Sequence, residues 1–323
     1  MSIKPILLTT FFLIFLFGCQ QQSSSPPDTD NSITTSSESL QTNLDLNETS
    51  NEEKELIKKT ETTSYSRNYD SYRSVNDLVN DLIKDYNYPP SRLGIAYYNF
   101  VTKESYFLNE NIGQYAASTN KVGTAVLYIQ LIEEGKLNWQ SKLPASSDDF
   151  ASGAGKITNN PIQSEYELEE LIENLLVYSD NTAWKILMNY YQNNFGDFNL
   201  NLIEKSGASQ KPDSLYNQYN YATPNTLLGY LKQIAKEKKY LPLIKYMSKS
   251  EKNQRFKLYI RGGMATKYGQ YDYSYHDTGI YYENGRPIYA LVLMTDGIGT
   301  VDQFMGELNL IINEWSHFQM SSH

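Results

Sequence analysis

The chain has 323 residues, 40% of them hydrophobic, which is enough for one large or two smaller buried cores and excludes disorder of the whole. Acidic residues outnumber basic ones 37 to 28, and the net charge of −9 argues against the basic face that a nucleic-acid partner requires. The single cysteine, Cys19, rules out a disulfide within the chain, and three histidines (His276, His317, His323) supply too few ligands for a structural zinc site, so neither a metal nor a cofactor is expected.

Residues 1–19 carry Lys4, an apolar run from Ile6 to Phe17, then Gly18 and Cys19. A run of about a dozen residues is too short to span a bilayer but suits the apolar segment of an export signal. Its ending, Leu16-Phe17-Gly18-Cys19, resembles the bacterial lipoprotein signal, which implies lipidation of Cys19 and a protein held on the outer side of the cytoplasmic membrane, or a periplasmic lipoprotein. Residues 20–65 are rich in Ser, Thr, Asn, Gln and Glu and cannot bury enough surface to offset chain entropy, so they read as a tether. The folded domain is expected over 66–323.

Within it, Val75, Leu78, Val79, Leu82 and Ile83 form a helical stripe behind Ser74. Leu93–Phe100 and Ser105–Leu108 read as a hairpin, followed by an amphipathic helix that starts near Ser118 and ends near Gly135. Tyr166–Tyr178 and Ala183–Tyr190 read as helices separated by Ser179-Asp180-Asn181, with shorter helices at Asn199–Ser206 and from Pro224 to Ile234. Lys257–Met264 and Ala265–Tyr271 look like strands, His276–Tyr282 and Ile288–Met294 like a hairpin turned by Asn284-Gly285, and Val301–Trp315 like a closing helix. This order predicts an α+β fold: an antiparallel sheet flanked by N- and C-terminal helices, plus a helical lobe, with a cleft between them.

Ser118-Thr119-Asn120-Lys121 carries the chemistry. A hydroxyl and an amine three residues apart share one helix face, close enough for the amine to take the hydroxyl proton, and the helix start favours developing negative charge. Taken with Ser179-Asp180-Asn181 about 60 residues on and Lys267-Tyr268-Gly269 in a late strand, the chain resembles the class A serine β-lactamases and the related penicillin-binding peptidases over about residues 75–316. The resemblance implies that Ser118 attacks the carbonyl of a β-lactam or a D-alanyl peptide, that Lys121 takes its proton, and that Ser179 relays a proton to the leaving nitrogen. Asn181 would hold the substrate amide, Lys267, Tyr268 and Gly269 would line the substrate-carboxylate side, and the backbone N–H groups of Ser118 and Gln270 would form the oxyanion hole. A monomer is expected.

Three departures stand out. Tyr268 replaces the family's usual threonine or serine, and no arginine lies in Tyr271–Tyr282, where many relatives place a second carboxylate anchor, leaving Arg261 and Arg286 as candidates. The span Asn199–Thr223, where relatives carry a glutamate that activates the deacylating water, has only Glu204 and Asp213 as acids, neither in that pattern. Slow turnover, a peptidase-like role or a non-catalytic wall-binding role are therefore all compatible with the motifs. A triad using His276 and Asp277 is disfavoured, because neighbours on a strand point to opposite faces.

Overall fold

Ser74 turns the chain into helix α1 (Val75–Asp85) by accepting the Asp77 N–H with its side chain, and the five apolar residues of the predicted stripe are buried. The computed structural model describes residues 67–321; the export signal, Cys19 and the tether expected at 20–65 lie outside the described residues. Strands β1 (Leu93–Asn99) and β2 (Ser105–Leu108) form the first hairpin. Late in the chain come β7 (Met264–Tyr271), β8 (Ser274–Glu283) and β9 (Arg286–Thr295), and all five pair antiparallel in the order β2-β1-β9-β8-β7. The turn between β8 and β9 places Asn284 at φ 50 and Gly285 at φ 73, the positive pair that a tight primed turn needs.

The sheet divides two cores by simple alternation. Ile95, Tyr97, Leu291 and Leu293 pack with α1 and the closing helix α9 (Asp302–Ser321), while Ala96, Ala290, Val292 and Met294 face the helical lobe. The lobe is inserted between β2 and β7. It holds α2 (Lys121–Glu133), α3 (Leu168–Val177), α4 (Asn181–Phe195), α5 (Phe198–Glu204), α6 (Asp213–Tyr216), α7 (Pro224–Lys236) and α8 (Leu241–Lys249). Two small ribbons, β3 (Gln114–Tyr115) with β6 (Tyr221–Ala222) and β4 (Lys142–Pro144) with β5 (Glu165–Glu167), brace its edges.

The α+β plan stands as predicted, but three local readings do not. Helix α2 is buried all round, Lys121 through Ile129 without a break, because α3, α4, α5 and α7 enclose it; its apolar stripe marks only part of a fully covered surface. Tyr166 belongs to β5 and helix α3 starts only at Leu168. Lys257–Met264 is not a strand: Arg255–Lys257 is a 3₁₀ turn, and Lys257 is buried because its ammonium donates to the Met247, Ser248 and Ser250 carbonyls at the end of α8. A cation closing a helix C-terminus explains a lysine that periodicity alone assigns to a strand.

Glu104, in the β1–β2 turn, joins the two terminal helices: one carboxylate oxygen accepts the Val75 N–H at 2.9 Å and the other the Trp315 indole N–H at 2.7 Å. Glu104→Ala should therefore lower stability by about 1–3 kcal/mol, since it strands a buried indole donor. Urea unfolding of the folded domain measures this, and an unchanged midpoint would contradict it.

Candidate active site

Ser118 lies in a 3₁₀ turn, Ala117–Asn120, that runs directly into α2. Ala117 is held at φ 48, a conformation that a β-carbon disfavours. Asn220, itself at φ 56, holds this turn from the other side: its backbone oxygen accepts the Ala116 N–H at 2.8 Å, its side-chain nitrogen donates to Ala117 O at 3.1 Å, and its side-chain oxygen accepts from Asn120 at 2.9 Å. Strain of this kind, costing on the order of 1–3 kcal/mol per residue, persists only where the surroundings over-determine it. Ser118 is thereby left half-exposed at a cavity of about 230 Å³ that Lys121, Asn181, Trp184, Tyr219 and Gln270 also line.

One turn on, Lys121 is only 1% exposed. Its ammonium donates to Ser179 O at 2.6 Å, Asn181 Oδ1 at 2.8 Å and Ser179 Oγ at 3.3 Å. Lys267, 0% exposed, comes from the edge strand β7 and donates to the same Ser179 Oγ at 3.0 Å and to Tyr268 O at 2.9 Å. A single hydroxyl thus sits between two buried amines. Ser179 adopts φ 54, which aims its side chain between the lysines while Asp180 caps α4.

Asp180 anchors this arrangement. Its carboxylate accepts the Ala183 N–H and the Thr158 hydroxyl on one oxygen and the Ile157 and Thr158 N–H groups on the other. Loop 151–160 is drawn so tightly onto it that a β-carbon at Gly155 would meet the Asp180 carboxyl at 2.1 Å, and Gly155 is held at φ +125. Asn181 is fixed in turn by donating to Ser152 O at 2.8 Å. Across the cleft, Gly269 lets β7 approach the Ser118 turn: a β-carbon there would lie 2.8 Å from Ala116 O and 3.0 Å from Thr119 N.

The electrostatics follow from burial. Desolvation holds the Lys121 amine well below the ordinary lysine range, the Lys267 charge pushes it further down, and Asp180 opposes both. Burial also lowers Lys267 to about 7, against the pull of Asp277 and Glu251. A lowered pKa shifts a lysine toward its neutral amine, the form that can accept a hydroxyl proton.

The model of the β-lactamase enzyme family matches residues 73–315. The chain belongs to that family. Among solved structures, PBP-A superposes with a TM-score of 0.64 at 18% identity, covering 77% of this chain and 98% of PBP-A. An acyl-enzyme complex of a PBP-A variant with penicillin G gives 0.63 at 18%, covering 76% and 97%. A β-lactamase from Sphaerobacter thermophilus gives 0.62 at 17%, covering 74% and 97%. At these identities the likeness carries the fold. No curated protein matches the chain.

For a member of this family the site is notable for what replaces the expected groups. Neither Arg261 nor Arg286 lines the cavity; the arginine on this side is Arg255, which motif spacing does not single out because it precedes β7 in a 3₁₀ turn at φ 51. Its guanidinium pairs with Glu251, donates to Gln270 Oε1 at 2.8 Å, and lies 4.7 Å from the Tyr268 ring and 4.3 Å from the Tyr275 ring. Glu204 is turned away, accepting from Lys211 and Tyr216, and Asp213 is exposed in α6; among the described residues no carboxylate lines the cavity at Ser118. His276 is structural: Nε2–H donates to Tyr115 O at 2.9 Å while Nδ1 accepts the Thr295 N–H at 3.0 Å, and burial pushes its pKa down to about 4. Asp277 accepts instead from Phe256 and Thr278 N–H.

If Lys121 is the base, acylation of Ser118 should rise with pH along a limb well below the ordinary lysine value of 10.5, because only the neutral amine accepts the proton. Removing the second charge with Lys267→Met should move that limb upward, since the Lys267 charge is one of the forces depressing Lys121. Acylation rates measured between about pH 5 and 10 test both; a limb that stays put or moves down contradicts the coupling.

Proposed function

We propose that this chain is a serine acyl-transfer enzyme that opens β-lactams or D-alanyl amides through an acyl-enzyme at Ser118 and clears that intermediate slowly. The observation that carries the reading is the buried Lys121 amine, one turn from Ser118 and joined through Ser179 Oγ to Lys267. Lys121 takes the Ser118 proton as Oγ bonds to the carbonyl carbon. The N–H groups of Ser118 and Gln270 hold the oxyanion, each donor being worth roughly 3 kcal/mol in such sites. As the carbon–nitrogen bond breaks, the proton passes from Lys121 by way of Ser179 to the leaving nitrogen, with Asn181 holding the substrate amide. Protons balance without a cofactor.

Slow clearance rests on the cleft. Hydrolysis of the ester needs a base to activate water, and no carboxylate among the described residues lines the cavity at Ser118. A missing general base costs about 10²- to 10⁴-fold in that step. This favours a penicillin-binding, peptidase-like role over rapid antibiotic hydrolysis. The expected lipidation at Cys19 would place the enzyme outside the cytoplasmic membrane, beside cell-wall peptide substrates.

Intact-mass spectrometry of the folded domain mixed with a penicillin should show one adduct, located at Ser118 and persisting long after free reagent is removed. Ser118→Ala should give none, and Lys121→Ala should acylate more slowly by at least about 10²-fold. Rapid loss of the adduct with release of ring-opened product would contradict slow clearance; the absence of any adduct with lactams or D-alanyl peptides would contradict the reading as a whole.

A further inference from the structure

We infer that Lys185 sets the charge preference of the Ser118 cavity, selecting lactams and amides whose acyl side chain carries a carboxylate. The inference rests on the acyl-transfer reading above and names the substrate class within it. Asn181, Trp184, Lys185 and Met188 all line the cavity, and their spacing of i, i+3, i+4 and i+7 makes them one face of α4. Lys185 therefore stands one helical turn, about 5.4 Å, beyond Asn181, the residue that the proposed reaction uses to hold the substrate amide. A group carried on the acyl side chain, past that amide, is the one that meets it.

Lys121 and Lys185 are the cationic side chains that line the cavity, and among the described residues no carboxylate lines it to offset them. Lys121 is 1% exposed and turned onto Ser179 and Asn181, whereas Lys185 is part-exposed. Among the described residues the Lys185 ammonium makes one hydrogen bond, to Phe150 O at 3.2 Å, beside Ala151 of the same cavity wall. Asp149, the acid next to Phe150, accepts instead from the Ser146 N–H and from Asn189 Nδ2. An ammonium has three donors, so two of them and the charge stay available. The neighbouring wall is aromatic: the Trp184 N–H is spent on Thr124 Oγ1 at 3.1 Å, and its ring lies 5.8 Å from that of Tyr219. Such a wall excludes water from part of the contact, so a carboxylate paired with Lys185 is held more firmly than on an open surface.

The test compares the second-order rates at which benzylpenicillin and carbenicillin acylate Ser118, read as intact mass. The two reagents differ by one carboxylate on the acyl side chain. Wild type should react faster with carbenicillin. Lys185→Met should lower the carbenicillin-to-benzylpenicillin ratio at least about fivefold, Lys185→Glu should lower it further, and Lys185→Arg should keep it. Raising sodium chloride from about 0.05 M to about 0.5 M should lower the ratio in wild type, a reading that needs no variant to fold. Faster reaction of wild type with benzylpenicillin, a ratio indifferent to salt, or an unchanged ratio in folded Lys185→Met overturns the assignment of Lys185 while leaving the acyl-transfer reading intact. Labelling of Ser118 by neither penicillin overturns the lactam reading and this inference together.

Discussion

The structure around the cleft depends on placing two lysine side chains in the interior, 1% and 0% exposed, about one serine hydroxyl. Desolvating an ammonium costs several kcal/mol, and two together repel, so such a pair survives only if acceptors are fixed in advance. The surroundings supply them: Ser179 O, Ser179 Oγ, Asn181 Oδ1 and Tyr268 O all point at the two amines. What the acceptors cannot offset appears as lowered pKa values. A lysine amine shifted toward its neutral form is thus the residue of an unfavourable burial that the fold tolerates.

That tolerance explains where rigidity is spent. Asp180 makes no contact with Ser118 that its hydrogen bonds record, yet its carboxylate fixes both loop 151–160 and the start of α4, and so determines where Ser179 and Asn181 lie. Ala117, Ser179 and Asn220 all hold positive φ, and each touches the Ser118 turn or the lysine pair. Backbone strain here is offset by the cores on either side of the sheet, which are continuous and apolar. Other non-glycine residues at positive φ, such as Asn87, Lys103 and Asn284, lie in turns elsewhere, and Ala117, Ser179 and Asn220 are the ones that shape the Ser118 site.

Much of this was legible beforehand, for identifiable reasons. The N-terminal helix follows from its stripe Val75-Leu78-Val79-Leu82, because it packs one face on the sheet. Ser118, Lys121, Ser179, Asn181, Lys267 and Gln270 were singled out by local motifs, and the fold brings Ser118, Lys121, Asn181 and Gln270 to one cavity with Ser179 and Lys267 buried behind it. Arg255 was not legible, since its contacts with Tyr268, Gln270 and Glu251 are set by a left-handed residue and tertiary packing rather than by any repeat. The burial of Lys257 was missed likewise, because closing the end of α8 leaves no periodic trace. The encircled helix α2 misled for a third reason: a helix covered on every side still shows an apolar stripe.

The two halves of the proposed acyl-transfer cycle would draw on different parts of this architecture. In that proposal acylation would rely on groups carried by α2, the α3–α4 connection and β7, elements locked together by Asp180 and by the close approach at Gly269. The segment between α5 and β6 contributes Tyr219 to the cavity wall and Asn220 to the support of the Ser118 turn, with Glu204 turned outward. Asn220 cannot serve as a base, and its three contacts leave little freedom to bring a carboxylate into its place without loosening Ala117. The segment is therefore tied to the Ser118 turn through Asn220, while the groups from α3, α4 and β7 around Lys121 are held separately by Asp180 and by the approach at Gly269.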